Sequence, residues 1–508
     1  MIRSSRAGGK SPVRKTKVQV PSGVLQGYDW GAGVRFAAIP YAEAPVGPLR
    51  FAPPQSPKPW KGVRDATQFG PIQPQMPSRF SGFLGLDRQR QSEDSLFLNI
   101  FTPQPDHAKR PVMVWIHGGR FASGSGSFHL FDGQHLAEVG DMVVVTLNYR
   151  LGVRGSLRLD GHASTERNGL NDLVQALRWI RANIEQFGGN AEDVCIAGQG
   201  AGAIAAVSLM AYPSAEGLFS KAILQSGSFY HLKGVKYAES ISNRFMELAK
   251  AQSLEELNKK DICHLLHAQS ELLAQCDDFD EPFQPTGDGV HLPINLWDAA
   301  RGGKLAKVPI LIGCNHHDYR PFLHTIDPAK LPHSSVALRE LLDQRIAPGA
   351  GEEIFYQYRK GSCPEIYGKV LQDLRFEVPA HELAGALSRH QPVYMYRFDW
   401  VSPVKDLEMG AGHFVDLPFS FGNLHSPSTP YLLGDNPPQQ MADMMSRAWA
   451  QFVRSGNPNH EGLPDWPTYH LRKRATQILD LKPHVVDDPA RSHRLFWADV
   501  LPWGQMFH

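Results

Sequence analysis

The stretch Asp193-Val-Cys-Ile-Ala-Gly198-Gln199-Gly200-Ala201-Gly202 has the spacing of a nucleophile elbow, Gly-x-Ser-x-Gly. In such an elbow a sharp strand-to-helix turn lifts the middle residue above the end of a sheet. The chemistry it serves is acyl transfer, in which a hydroxyl attacks a carbonyl while a neighbouring base removes its proton. Here the middle residue is Gly200, which has no side chain. Taken alone, Gly-x-Gly-x-Gly also describes an ordinary glycine-rich turn, so the surrounding elements must decide. The adjacent pair His316-His317 invites a metal reading, but neighbouring histidines point in different directions and no third ligand accompanies them, so no metal is expected. The five cysteines (Cys195, Cys263, Cys276, Cys314, Cys363) include no Cys-x-x-Cys pair. They read as reduced, mostly buried thiols rather than a zinc or redox centre.

The elements that position the elbow follow from the hydrophobic pattern. Val194 to Ala197 is a short apolar strand, and Ala201 to Ala211 a helix of small residues. The runs Pro111 to Ile116 and Val143 to Leu147 are apolar without alternation, which suits strands buried on both faces of a helix-covered sheet. Further strands are expected at Ala222 to Leu224, Val308 to Ile312 and Val393 to Phe398. Leu170, Leu173, Val174, Leu177, Ile180, Ile184 and Phe187 recur at helical spacing ahead of Gly188-Gly189. Val18 to Val20 and Val24 to Gly27 alternate around a Pro-Ser-Gly turn and predict a hairpin. The stretches from about Lys233 to Asp280 and from about Leu323 to Ala386 read as mainly helical. Strands alternating with helices predict an α/β architecture with a large, mostly parallel central sheet covered on both faces. With no repeat and no low-complexity linker, residues 17–508 read as one domain behind a basic, disordered tail over 1–16.

Net charge is +1 and charged residues make up 20% of the 508. No global field favours nucleic acid or an anionic membrane. No segment reaches the roughly 20 consecutive apolar residues of a membrane helix. The first seventeen residues hold six Lys or Arg and no acid but lack the apolar run of a secretory signal. There is also no Asn-x-Ser/Thr acceptor site, and a cytoplasmic location is expected.

Several motifs in order carry a family resemblance: Ser92-Glu-Asp-Ser-Leu, His117-Gly-Gly, Asn148-Tyr-Arg-Leu-Gly152, Ala176-Leu-Arg-Trp-Ile180, Phe187-Gly-Gly189, the elbow, Gln225-Ser-Gly227, and Trp449-Ala-Gln-Phe452 with Gly456-Asn-Pro-Asn459. The chain resembles the type B carboxylesterase and cholinesterase-like family of the α/β-hydrolase fold, from about residue 17 to 503. The resemblance implies a carboxylic-ester hydrolase acting on a small acyl or ester molecule, with helical insertions around an active-site gorge and no cofactor. It also implies the remaining roles. Gly410-Ala-Gly-His413-Phe-Val-Asp416-Leu-Pro-Phe419 is similar to the family's catalytic-histidine loop, making His413 the base. Gly313-Cys-Asn315-His316-His317-Asp318 resembles its acid segment, making Asp318 the acid that orients the histidine. Backbone N–H groups of Gly119, Arg120 and Ala201 stand where an oxyanion hole belongs.

The departures from the family pattern are as informative as the matches. Gly200 replaces the serine and closes the acyl-enzyme route. Tyr319 stands where glycine is usual, and Asp318 is a methylene shorter than the usual Glu. Arg120 replaces a small residue, its side chain either entering the pocket or turning outward, and Arg154 replaces an apolar one near the same rim; together they suit a carboxylate-bearing ligand. Gln73 and Ser95 fall where secreted relatives carry a disulfide. Of the nearby hydroxyls, Ser123, Ser125, Ser226 and Ser228, none is expected on a strained turn aimed at the oxyanion donors. Three readings follow: hydrolysis by a water that His413 and Asp318 activate; a cyclase, lyase or isomerase that benefits from lacking a nucleophile; or a non-catalytic binding protein.

Overall fold

The computed structural model describes residues 15–501 apart from 79, 82–88, 160, 162–164, 228, 230–231, 277–280 and 406–407. Fifteen strands are formed among the described residues: β1 (Lys15–Val20), β2 (Gly23–Asp29), β3 (Val34–Pro40), β4 (Val63–Asp65), β5 (Phe97–Thr102), β6 (Arg110–Ile116), β7 (Val143–Leu147), β8 (Gly189–Gln199), β9 (Lys221–Gln225), β10 (Lys233–Gly234), β11 (Thr286–Gly287), β12 (Ile310–Asn315), β13 (Val393–Phe398), β14 (Ala475–Leu479) and β15 (His484–Asp487). Thirteen join one sheet in the order β1-β2-β3-β5-β7-β6-β8-β9-β12-β13-β14-β15, with β4 beside β2.

The centre of the sheet, from β7 through β14, is parallel, and antiparallel pairs close both ends. The apolar runs that lack alternation form these central strands, and every residue of β7 is buried. Their side chains alternate between two cores. Val112, Val114 and Ile116 of β6 face the core that the helices Asn168–Asn183 and Ala201–Ala211 complete. Met113 and Trp115 face the other, covered by the helix Gln439–Ser455. The α/β-hydrolase architecture expected from sequence is therefore the observed one, and the expected hairpin is β1–β2.

Two sequence expectations are corrected. Lys15 and Thr16, which the sequence reading places in the tail, belong to β1 and pair with Tyr28 and Gly27. Exposed lysines are at home on an edge strand, where they discourage pairing with other chains; the rest of the basic tail lies outside the described residues. The thiols are not mostly buried: Cys195 and Cys314 are, Cys276 and Cys363 are half-buried, and Cys263 is exposed near the start of a surface helix. No helix of the described residues is long and apolar enough to cross a membrane.

Candidate active site

The elbow forms as its spacing requires. β8 ends at Gln199, Gly200 turns the chain at φ +57 and ψ −121, and the helix Ala201–Ala211 starts at the next residue. The Gly200 N–H donates to Gln225 O at 3.0 Å, and its carbonyl accepts from Ala203 and Ile204. Two glycine requirements meet here. Gly200 occupies a backbone conformation that side-chain-bearing residues rarely adopt. Gly202 lets the helix press against β6, since a Cβ there would stand 1.9 Å from Ile116 O.

The His413 loop brings its imidazole over the vacant position. His413 Nδ1 donates to Asp318 Oδ1 at 2.7 Å, and because a carboxylate only accepts, the neutral form of the ring carries its lone pair on Nε2. That Nε2 lies 3.1 Å from where a Cβ on Gly200 would stand. Asp318 is fully buried, and its second oxygen accepts the Asn315 N–H at 2.7 Å. Tyr319 adopts ordinary right-handed backbone, φ −79 and ψ −16, so tyrosine in place of glycine does not disturb the acid's loop. The side chain of Gln372, 57 residues away, clamps that loop: its Oε1 accepts from Tyr319 N at 3.0 Å and its Nε2 donates to Asn315 O at 2.9 Å.

A second carboxylate lies under the site. Asp416 accepts from Gln199 Nε2 at 2.8 Å and Asn315 Nδ2 at 3.0 Å on one oxygen, and from Gln225 Nε2 at 2.8 Å on the other. Trp449 Nε1, a donor only, bonds Gln225 Oε1 at 2.9 Å, which fixes the orientation of that amide. One carboxylate thus ties the ends of β8, β9 and β12 to the His413 loop. Burial raises the Asp416 pKa to about 6 against the pull of its amide donors. Sequence reasoning included Asp416 in the matched loop without giving it a task.

The oxyanion candidates lie beside the elbow. A Cβ on Gly118 would stand 3.7 Å from Ala201 N, so the loop through Gly119 and Arg120 runs along the helix start. Gly119, Arg120 and Phe121 have φ of +116, +55 and +56. The Gly119 N–H donates to no backbone carbonyl among the described residues. Gln75 grips the far end of this loop, accepting from Gly124 N at 2.7 Å and donating to Gly124 O at 3.0 Å. His117, stacked on Tyr149, is held neutral by burial, its pKa lowered to about 4.

Arg120 is exposed. Arg154 is buried and donates to Pro74 O at 2.8 Å, and none of its hydrogen bonds among the described residues reaches the elbow or the His413 loop. The structure therefore groups Gly200, His413, Asp318, Gly119 and Ala201, and leaves Arg154 outside the group. Ser123 donates to Gly119 O and Ser125 to Asn148 Oδ1. Ser226 has φ +46 on a turn separate from the elbow; it is fully buried and its Oγ has no hydrogen-bond partner among the described residues. Ser228 lies outside the described residues. Sequence reasoning missed the aromatic wall of the site. The rings of Phe322, Phe376 and Phe414 lie 5.2, 5.6 and 4.5 Å from the His413 ring, and Phe80 packs edge-on against Phe322 and Phe414.

A strand-to-helix elbow at the carboxyl end of a central parallel strand, with an acid and then a histidine supplied by later loops, defines an α/β-hydrolase. The particular family follows from comparison. The carboxylesterase family profile matches residues 14–497, and the chain belongs to that family. It is 37% identical to the para-nitrobenzyl esterase of Bacillus subtilis (strain 168), over 91% of this chain and 94% of that one. It is 32% identical to the Homo sapiens cocaine esterase, over 99% and 94% respectively. Among solved structures, the Geobacillus stearothermophilus carboxylesterase EST55 at pH 6.2 superposes with a TM-score of 0.85 at 35% identity, covering 95% of this chain and all of that one.

Proposed function

We propose that this protein hydrolyses a small acyl ester by direct attack of water, with no covalent acyl intermediate. The observation that carries the reading is His413 Nε2 at 3.1 Å from the vacant Cβ position, its tautomer set by Asp318. In this reading a water hydrogen-bonded to Nε2 attacks the acyl carbon as Nε2 takes its proton. The carbonyl electron pair moves onto the oxygen facing the Gly119, Arg120 and Ala201 N–H groups. Collapse expels the alkoxide, which recovers the proton from the imidazolium. Ester and water become acid and alcohol. Without the serine, acceleration of about 10³ to 10⁴ over water is the scale expected from the remaining groups.

The cyclase, lyase or isomerase reading rests on the missing nucleophile, with cations at Arg120 and Arg154 as added support. Arg154 is enclosed against Pro74 and Arg120 is exposed, which leaves hydrolysis better supported. Intact-protein mass spectrometry during turnover of p-nitrophenyl butyrate tests the proposal. Release of p-nitrophenol with no acyl adduct on the protein supports direct water attack, and an adduct that forms and decays with turnover rules it out.

A further inference from the structure

We infer that His493, on the helix Arg491–Val500, is a positioning residue for the His413–Asp318 pair, acting through a π turn over Asp373–Glu377 that its protonated ring holds in place. The inference rests on the reading above in taking His413 as the base.

The helix Cys363–Gln372 runs into the helix Val378–Leu387 through this π turn, in which the Val378 N–H bonds Asp373 O five residues back. Pro379 follows and has no N–H to offer Arg375 O, so the α-helical ladder is broken here in any case. Such turns are rare and lie frequently at functional sites. Two side chains attach this one to the candidate site. Gln372, at the start of the turn, holds Tyr319 N and Asn315 O on either side of Asp318. The Phe376 ring lies 5.6 Å from that of His413 and stacks on Phe322 at 6.3 Å.

The turn is anchored by two buried carboxylates. Glu377 accepts from Arg397 at 3.0 Å. Asp373, 5% exposed, takes two donors on one oxygen, the Tyr358 hydroxyl and His493 Nδ1, the latter at 2.7 Å. Trp497 Nε1, a donor only, bonds the Tyr358 oxygen at 2.7 Å, which directs the phenolic proton to Asp373. His493 and Trp497 are four residues apart and share one face of their helix. That helix therefore grips the π turn at a single carboxylate.

His493 is the group of this cluster that changes charge near neutrality. Its side chain is 40% exposed, so its proton exchanges with solvent. The hydrogen bond to Asp373 outweighs burial and holds its pKa above 6.5. Tyr358 stays neutral, its pKa pushed well up by burial. Glu377 is paired with Arg397, and on the helix of His493 itself Arg491 and Arg494 face Asp488. Among the described residues no other cation pairs with Asp373. Below its pKa the imidazolium gives Asp373 a charge-assisted bond, roughly twice as strong as a neutral one. As pH rises through that pKa the bond weakens, and Gln372 and Phe376 are held less firmly against the site.

Two variants separate the donor from the charge. His493→Asn keeps an N–H near the Nδ1 position and cannot titrate, and His493→Leu removes the donor. Both are compared with the parent between pH ~6 and pH ~8.5, by the downfield proton NMR resonance of the His413–Asp318 bond and by kcat on p-nitrophenyl butyrate. The gap between charged and neutral hydrogen bonds corresponds to about fivefold, so the parent kcat should exceed that of His493→Asn by about two- to fivefold at pH ~6 and match it by pH ~8.5. Taking the ratio cancels the titration of His413, which both proteins share. The resonance should differ between these two proteins at the lower pH and coincide at the higher. His493→Leu should fall below both throughout; if it does not fold, His493→Asn carries the test. A resonance that is the same in the parent and His493→Asn at pH ~6, or a difference that does not change with pH, overturns the inference even where Tm falls, because docking of the helix alone accounts for a lower Tm. If the parent releases no p-nitrophenol, the hydrolysis reading fails and the resonance comparison alone decides the inference.

Discussion

Replacing Gly200 by serine tests the elbow and the site around it at once. Serine at φ +57 and ψ −121 enters a sparsely populated backbone region, at a cost of about 1–3 kcal/mol. Its Cβ would stand 3.1 Å from His413 Nε2, closer than carbon and nitrogen normally approach, so the imidazole must retreat by a few tenths of an ångström. Unfolding entropy of about 2.1 cal/mol/K per residue gives about 1 kcal/mol/K for a chain of this size, so Gly200→Ser should lower Tm by about 1–3 °C. The same substitution places a hydroxyl beside the His413 ring, which Asp318 orients and to which we assign the role of base. The p-nitrophenyl ester kcat should rise by about 100-fold or more, since a complete nucleophile–base unit far exceeds its parts. The assays are thermal melting and steady-state hydrolysis on the same preparation. An unchanged or higher Tm would refute the strained elbow, and an unchanged kcat in a folded variant would refute the poised base and oxyanion donors.

Burial raises the Asp416 pKa from 3.8 to about 6, so the folded state holds this proton more tightly than the unfolded chain. Its stabilising effect is present below pH ~4 and lost as pH rises through ~6, about 3 kcal/mol in all. Asp416→Asn should remove that component from a pH series of urea titrations, and an identical pH slope in both proteins would contradict it. Gln372→Ala removes the acceptor that holds Tyr319 N and one of the two donors to Asn315 O, the other being Asp318 N, and should cost about 1–3 kcal/mol. It should also weaken the downfield proton NMR resonance of the His413–Asp318 hydrogen bond, which a change in stability alone would not move. Arg154 is 2% exposed with Nη1 unpartnered, and burial lowers its pKa to about 10. Arg154→Met should therefore be neutral or stabilising by up to about 2 kcal/mol, read as a higher urea midpoint; a clear loss of stability would show that the cation has an unseen task.

Local pattern accounts for what was legible in the chain. Buried parallel strands announce themselves as unbroken apolar runs, as in β6 and β7, and small residues from Ala201 to Ala211 announce a helix lying close against the sheet. His413 and Asp318 were singled out in the sequence only because their flanking residues match a family, and the structure brings the two side chains together. Contacts across long stretches of chain were not legible. Gln199 meets Asp416 217 residues away, and nothing around Gln372 distinguishes it from other polar residues on a helix. The strain at Ser226 also escaped notice, because positive φ at a residue other than glycine is imposed by its surroundings, here an N–H held by Gly313 O. Arg154 was placed near the rim for a related reason, and Arg120 was left open between pocket and solvent: charge can be read from sequence, but the direction of a long side chain depends on packing.

The most direct measurement of the central claim compares the protein with His413→Gln on p-nitrophenyl butyrate, each against buffer. Hydrolysis above buffer by the protein, falling to the buffer rate in His413→Gln while its Tm is unchanged, is the predicted result. Equal rates in the two proteins would contradict the claim that the imidazole over the empty elbow activates the nucleophile.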